Sequence, residues 1–327
     1  MKNHCIREYG REDPPGATLN PMALRIIVSR HSVFYSPLIS TIAGGFLERQ
    51  GLSAEYGILQ KGQTSASLIH EGAADIMQSA VASNWKPMEA GESPLPVHFA
   101  QINQRDGFFL VARQVAAPFT WKSLEGSVLI ADHGLQPMAM LKYAGKANSV
   151  DWSRVRLIDA GSPDQMQRAF RNGEGNYIHL QAPASHQMET ERVGRIAVSV
   201  GASMPPVAFS SLCCSREFLS TDTFRAFLTA YRQAREWVRT APAEDVARKE
   251  SDFFPGIDTG VLAAAIRAYQ KVGNWEGGIE IPRDLYEQAL NVFAGIIQRR
   301  HPYDQVCASP SAAVAKAPPC ARTQPDR

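Results

Sequence analysis

Apolar and polar positions run along the chain in blocks that switch between a two-residue and a 3.6-residue period. Leu24–Ser29 (Leu-Arg-Ile-Ile-Val-Ser) is short and rich in β-branched residues, which predicts a strand. The polar loop Arg30-His31-Ser32-Val33-Phe34-Tyr35 follows, then a helical pattern over Pro37–Gln50. Pro37 suits the first turn of that helix and Gly51 its stop. Ala54–Leu59 predicts a second strand, and Gly62-Gln63-Thr64 a polar loop. Thr64 or Ser65 can cap a helix over Ala66–Glu71. Gly72–Ala80 predicts a turn and a third strand, Asn84–Gly91 a helix, and Val97–Ile102 and Gly107–Arg113 two more strands. Alternation of this kind predicts an open α/β sheet.

The pattern then restarts. Ser127–Ala131 predicts a strand, Asp132–Gln136 a polar loop, Pro137–Gly145 a helix, Val155–Asp159 a strand, Pro163–Asn172 a helix and Gly175–Leu180 a strand. Both starts share a strand, a loop carrying a histidine (His31, His133), and then a proline and a helix closing on Ala-Gly. Two lobes on one plan would produce this, and so would any two βα units with common punctuation. Beyond Pro205-Pro206 come a strand, Val207–Cys213, and helices over Thr221–Thr240, Ala243–Phe253, Thr259–Tyr269 and Pro282–Arg299. Their apolar stripes, such as Phe224, Phe227, Leu228 and Tyr231, read as packing.

Composition narrows the function classes. The chain has 327 residues, 44% of them hydrophobic, enough for one large or two medium domains with a substantial core. Lys+Arg number 34 and Asp+Glu 32, a net charge of +2, and this near-balance argues against nucleic-acid binding. No apolar run approaches the ~18 residues of a membrane helix, so no transmembrane segment is expected. The N-terminal stretch has charge but no apolar core, so no secretory signal is expected, from Met1 or from a second start at Met22. Cys213 and Cys214 are adjacent, a poor geometry for a disulfide, and read as small core residues; Cys5, Cys307 and Cys320 fall in the presumed tails. Walker A, G-x-G-x-x-G, G-x-S-x-G, H-E-x-x-H and C-x-x-C patterns are all absent from the sequence. No cofactor and no metal is expected.

Against this background the residues resemble a family. Leu24–Ala80 is similar to the first lobe of ABC-transporter solute-binding proteins of the nitrate/sulfonate/taurine and thiamine-precursor (hydroxymethylpyrimidine) type. The resemblance is carried by the strand and polar loop before Pro37, by Ala43-Gly44-Gly45-Phe46-Leu47-Glu48-Arg49-Gln50-Gly51-Leu52, and by Gly72 with Ala74-Asp75-Ile76. Trp121–Ala131 looks like that family's entry into its second lobe. The resemblance covers about residues 22–295. It implies an α/β, type II periplasmic-binding-protein fold: two lobes of open mixed sheets flanked by helices, joined by two hinge strands, with the ligand between them. The implied division is a disordered arm at 1–21, the first lobe at 22–105 and 207–300, the second lobe at 106–206, and a disordered tail at 301–327. Gln101–Arg105 and Met204–Val207 would be the hinges.

In such sheets ligands lie beyond the carboxyl ends of strands, where helix N-termini present free N–H groups. The candidate ligand-binding residues are therefore Arg30, His31, Ser32, Tyr35, Gly62, Gln63, Thr64, Ser79, Ser83, Asn84 and Asn103 from the first lobe. The second lobe would contribute Asp132, His133, Gln136, His179 and Gln181. Arg30 reads either as a planar fork for a carboxylate or sulfonate or as a solvated surface charge. Tyr35 reads as a stacking face or as core. Ser32, Thr64 and Ser83 read as ligand contacts or helix caps. His31, His133 and His179 all fall in cleft-side loops; their spacing gives a metal no direct support, and neutral imidazoles bonded to ligand or backbone are the competing reading.

The resemblance implies capture of a small polar or anionic organic solute (sulfonate, carboxylate or pyrimidine-like) for an ABC permease, and a periplasmic location. The missing signal leaves a cytoplasmic enzyme on the same scaffold as the alternative. A desulfinase-like reaction needs a nucleophilic cysteine in a cleft loop, and the first-strand loop has none. A yeast-type pyrimidine synthase needs a cysteine-rich motif, also absent. A decarboxylase-like reaction would use Arg30 to hold a carboxylate and His133 or His179 as acid or base. No catalytic residue is assigned.

Overall fold

The computed structural model describes residues 7–8, 23–114 and 118–310. In chain order the first elements are β1 (Arg7–Glu8), β2 (Ala23–Val28), α1 (Ser36–Ala43), β3 (Ser53–Ile58), α2 (Ser65–His70), β4 (Ile76–Ser79), α3 (Trp85–Glu89) and β5 (Val97–Asn103). A second set comprises β6 (Phe108–Ala112), β7 (Val128–Ile130), α4 (Leu135–Ala147), β8 (Arg156–Ile158), α5 (Pro163–Arg171), β9 (Tyr177–Gln181), α6 (Ala184–Thr190) and β10 (Arg195–Ser199). The chain then returns as β11 (Ser210–Cys214), followed by α7 (Asp222–Thr240), α8 (Ala243–Glu250), α9 (Thr259–Val272), α10 (Arg283–Val292) and α11 (Tyr303–Val306).

The strands form two mixed sheets. One has six strands in the order β1-β3-β2-β4-β11-β5, the other five in the order β10-β6-β9-β7-β8. In the first, β1, β3, β2 and β4 run parallel, and β11 is antiparallel to both β4 and β5. The chain crosses between the sheets twice, at residues 104–107 and 200–209. These two crossings lie against each other: Val207 N donates to Gln104 O at 2.8 Å, and Arg105 donates to the carbonyls of Gly201 and Met204 at 3.1 Å. A Cβ at Gly201 would overlap the Asp106 backbone, so a side chain there would push the crossings apart.

Helix boundaries follow the local chemistry. The helix expected over Pro37–Gln50 ends at Ala43, because Gly44 and Gly45 turn the chain, Gly45 at φ +70°, before a short 3-10 turn at Glu48–Gln50. The helix expected over Pro282–Arg299 stops at Val292, and Gly295 (φ +86°) prevents its continuation. Thr64 caps α2 through a reciprocal bond with Ser67, at 3.0 and 3.1 Å. Neither α6 nor β10 follows from the sequence pattern; β10 adds to the edge of the second sheet beside β6.

Both presumed tails need correction. Arg7–Glu8 pair in parallel with β3, while the rest of the presumed arm lies outside the described residues. Residues 301–310 are packed: His301, Val306 and Cys307 are buried, Cys307 bridges to His98 on β5, and Ala308 N donates to His98 O at 2.9 Å. The apolar groups of Val306 and Cys307 explain this docking, which the Ala/Pro/Ser composition around them obscured. Residues 311–327 lie outside the described set, as do Cys5 and Cys320. Cys213 and Cys214 are fully buried in β11 as free thiols, and burial pushes Cys213 up to about 12. Among the described residues no helix is long and apolar enough to cross a membrane.

Candidate functional site

A cavity of about 520 Å³ opens between the two sheets. Its walls are the carboxyl ends of strands and the first turns of the helices that follow, the usual binding position in an open α/β sheet. From the first sheet come Ser29 and Arg30 after β2, Gln78 and Ser79 at the end of β4, and the start of α2 with Thr64 and Ser65. From the second come Phe108 on β6, Gln181 on β9, and Leu135, Gln136 and Pro137 at the start of α4. Phe209 enters from the second crossing and Ser210 from the start of β11.

Several bonds draw the halves together. Arg30 pairs with Asp132, from the loop after β7, at 2.6 Å. Ser32 Oγ donates to Ala182 O at 2.7 Å, and Gln136 Nε2 donates to Phe209 O at 2.9 Å. The Tyr269 hydroxyl donates to Gly107 O at 2.8 Å and accepts from Ala182 N at 3.1 Å. Phe34, Phe209 and Tyr269 pack ring to ring beneath these contacts, with centroids 5.2–5.3 Å apart around Phe34. The structure is therefore in a closed arrangement, with polar contacts already bridging the crevice.

Charge in the cavity is sparse. Among its lining residues only Arg30 and Glu92 are charged, and Arg30 is already engaged. Burial would raise Asp132, but Arg30 and the Gly134 N–H outweigh it and hold the carboxyl below the usual range. Arg30 also lies over the Phe108 ring at 5.5 Å, and His179 stacks on that ring at 4.2 Å. The rest of the lining is amide, hydroxyl, aromatic and aliphatic. Gln78 Oε1 accepts from Ser29 N and Oγ (3.0 and 2.7 Å), and Asn84 Nδ2 donates to Pro96 O at 2.7 Å. Gln181 lines the cavity, while its Oε1 is itself enclosed with no hydrogen-bond partner. The Tyr35 hydroxyl, in reach of Ser29, Gln181 and Ser210, is raised by burial.

Of the candidate residues named from the sequence, Arg30, Tyr35, Gln63, Thr64, Ser79, Ser83, Asn84, Gln136 and Gln181 line this cavity. Asp132 acts on it through Arg30, and His179 sits behind Phe108 with both ring nitrogens unpartnered. Burial holds His179 neutral, down to about 3. The others lie elsewhere. His31 turns into the first half, bonded to Tyr56 (3.0 Å) and to Phe253 O (2.7 Å) and stacked on Phe254. Ser32 caps the following turn and ties it to Ala182. Gly62 is an exposed turn residue at φ +91°. Asn103 is buried at the first crossing with both amide atoms unpartnered. His133 is held by Ala131 O at 2.8 Å and faces an outer groove. The three histidines thus occupy three separate environments, and among the described residues no group of His, Cys, Asp or Glu is gathered to hold a metal.

Sequence reasoning missed Phe108, Phe209, Ser210 and Gln78 as lining residues. Phe108 begins a strand read as core, and Phe209–Ser210 reach the cavity only because β11 is inserted between β4 and β5, a long-range pairing with no local signal. Gln78 had one: a polar residue inside a short apolar strand.

Comparison with known proteins agrees with this architecture. YtlA of Bacillus subtilis (strain 168), provisionally named a binding protein, is 26% identical over 283 residues, covering 84% of each chain. A ligand-binding component of an ABC-type import system from Staphylococcus aureus, solved with zinc bound, superposes with a TM-score of 0.68 at 12% identity, over 91% of this chain and 99% of that one. The alkanesulfonate-binding protein SsuA from Xanthomonas axonopodis pv. citri, bound to MOPS, gives 0.63 at 12% identity, over 89% and 100%. The desulfurization enzyme DszB gives 0.61 at 13% identity, over 90% and 99%. These likenesses establish the type II periplasmic-binding-protein fold. The NMT1/THI5-like family profile matches residues 34–245, and the chain belongs to that family.

Proposed function

We propose that this protein captures a small, flat, uncharged solute with several hydrogen-bonding groups, of pyrimidine-like character, in the cleft between its two halves. It would hand that solute to an ABC permease. Solute capture is supported by the family, by neighbours named as ligand-binding components of import systems, and by a cavity of about 520 Å³ at the strand ends. The choice among sulfonate, carboxylate and pyrimidine-like ligands rests on one observation: Arg30, the one basic residue lining the cavity, is paired with Asp132 at 2.6 Å. An anion entering would have to break that pair or sit beside an intact one, close to the Asp132 carboxylate. A heterocycle can instead lie against Tyr35, Phe108 and Phe209 and hydrogen-bond to the uncharged hydroxyl and amide groups of the lining.

A catalytic role on the same scaffold finds less support. The described cysteines are all buried away from the cavity, and His179 is neutral and enclosed behind Phe108. Isothermal titration with pyrimidines, alkanesulfonates and aromatic carboxylates decides between the ligand classes. Micromolar binding of a neutral pyrimidine, recovered unchanged, is the expected result. Tight binding of sulfonates or carboxylates with no response to pyrimidines would overturn the ligand assignment, and turnover of any of them would overturn the role as a carrier.

A further inference from the structure

A second concavity lies on the outside of the molecule, where α4 meets the end of α10. Its volume is about 780 Å³, against about 520 Å³ for the cleft. Leu135, Met138, Lys142 and Lys146 enter from α4, Trp152 from the turn that follows it, and Ile296 from the loop after α10. The Trp152 wall is built into the helix: a Cβ at Gly145 would overlap the indole, and Trp152 Nε1 donates to Lys142 O at 3.2 Å. The halves are joined beside it by Gln288 Nε2, which donates to the hydroxyl of the lining residue Tyr143 at 2.9 Å.

Two features set this groove apart. Leu135 (43% exposed) and Ile296 (39%) are the exposed large hydrophobic residues among those described, and both border it. Single exposed leucines need no explanation, but two on one concave wall mark a surface suited to an apolar body. The lining also holds two lysines and no carboxylate. Lys142 lies over the Trp152 ring at 4.3 Å, and neither lysine pairs with an acidic group among the described residues. The groove therefore combines an apolar wall with a positive rim that has no acidic partner among the described residues, the complement of an amphipathic anion.

We propose that this groove is a second ligand site, distinct from the cleft, that takes an amphipathic anion: an aromatic or aliphatic body carrying one carboxylate or sulfonate. The body lies between Leu135, Met138, Ile296 and the Trp152 edge, and Lys142 and Lys146 meet the acid group. Because the walls come from both halves, and Leu135 also borders the cleft, an occupant braces the closed arrangement from outside. The proposal does not depend on which solute the cleft takes.

The test uses 8-anilinonaphthalene-1-sulfonate at low ionic strength, with neutral N-phenyl-1-naphthylamine as its uncharged counterpart. The expected result is saturable 1:1 binding of the sulfonate to the folded full-length chain. Binding should weaken about tenfold or more in Lys142→Gln/Lys146→Gln, the scale of a lost charged contact. The neutral dye should be indifferent to those changes. Ser83→Trp, which narrows the cleft, should leave sulfonate binding intact. Circular dichroism checks that each variant is folded; the lysine changes lie at the rim, and an intact fold is expected. Non-saturable binding, a lysine variant within threefold of wild type, or loss of binding in Ser83→Trp alone would each overturn the site.

Discussion

Arg30 and Asp132 stand 2.6 Å apart across the crevice, one after β2 of the first sheet and the other after β7 of the second. The two loops occupy equivalent places in the two halves, so the pair joins them beside the cavity that Arg30 lines. Asp132 is almost enclosed, while the Arg30 side chain remains 30% exposed. The pair thereby serves two purposes: it holds the closed arrangement, and it neutralises the cation that would otherwise favour anionic ligands.

Asp132→Asn should release Arg30 as a free planar donor. Affinity for alkanesulfonates and carboxylates should then rise by about tenfold or more, from one or two charged hydrogen bonds of ~1.5–3 kcal/mol each. The closed form should also lose about 1 kcal/mol, because the pair is partly exposed and screened. Titration calorimetry reads the first effect and small-angle scattering of the ligand-free protein the second. Anion affinities equal to wild type would show that Arg30 does not decide ligand charge.

Glu250 provides an alkaline prediction. Its carboxylate is buried between α1 and α8, accepts from the Ser36 and Ser40 hydroxyls at 2.7 and 2.5 Å, and is raised by burial from 4.5 to about 8. Below pH 4.5 it is protonated in folded and unfolded chains alike. Between pH 4.5 and 8 the unfolded carboxyl ionises while the buried one keeps its proton, so stability falls as pH rises. Glu250→Gln removes this loss. It should match wild type near pH 4.5 and exceed it by on the order of 3 kcal/mol at pH 8. Urea unfolding at the two pH values measures this, and a constant difference between the two proteins would sink it.

Acid should act through the enclosed imidazoles. Burial lowers His179 and His98 to about 3 and His186 to about 4, from 6.5. The unfolded chain takes up these protons as pH drops below 6.5 and the folded chain does not, so stability is lost between pH 6.5 and about 3. His179→Phe keeps a ring against Phe108 and removes two unpartnered nitrogens. The variant should resist acid better than wild type, by on the order of 3 kcal/mol at pH 4. An unchanged acid-unfolding midpoint would show that His179 finds a proton acceptor in the native state.

The Gln181 amide at the cavity wall is open to a direct trial. Gln181→Leu retains volume but removes the amide at the end of β9 that reaches the Tyr35 hydroxyl. Pyrimidine affinity should drop about tenfold, and thermal stability should fall modestly because the buried Tyr35 hydroxyl loses the Gln181 amide as a partner. Equal affinity for the variant and wild type would place the ligand elsewhere in the cavity.

The architecture was legible because its signals are local. Pro37, Pro163 and the Thr64–Ser67 box mark helix starts, glycines mark turns, and the β-branched runs at 24–29 and 127–131 mark the first strand of each sheet. The loops at strand ends follow, and nine of the named residues meet in one cavity. What stayed hidden depends on partners distant in sequence. Nothing near Arg30 announces Asp132, and nothing near His31 says that Phe253 O and Tyr56 will draw it inward. Cys307 gave no local hint that β5 would take it up.

That last contact has a consequence for solubility. β5 is the outermost strand of its sheet, and such a strand offers a row of amides and carbonyls to any passing extended chain. The segment around Cys307 meets its first residues, bridging to His98 and donating from Ala308 N to His98 O. A stretch that looks like trailing ballast in the sequence thus acts as a fender for the start of that strand, occupying a position where another extended chain could dock.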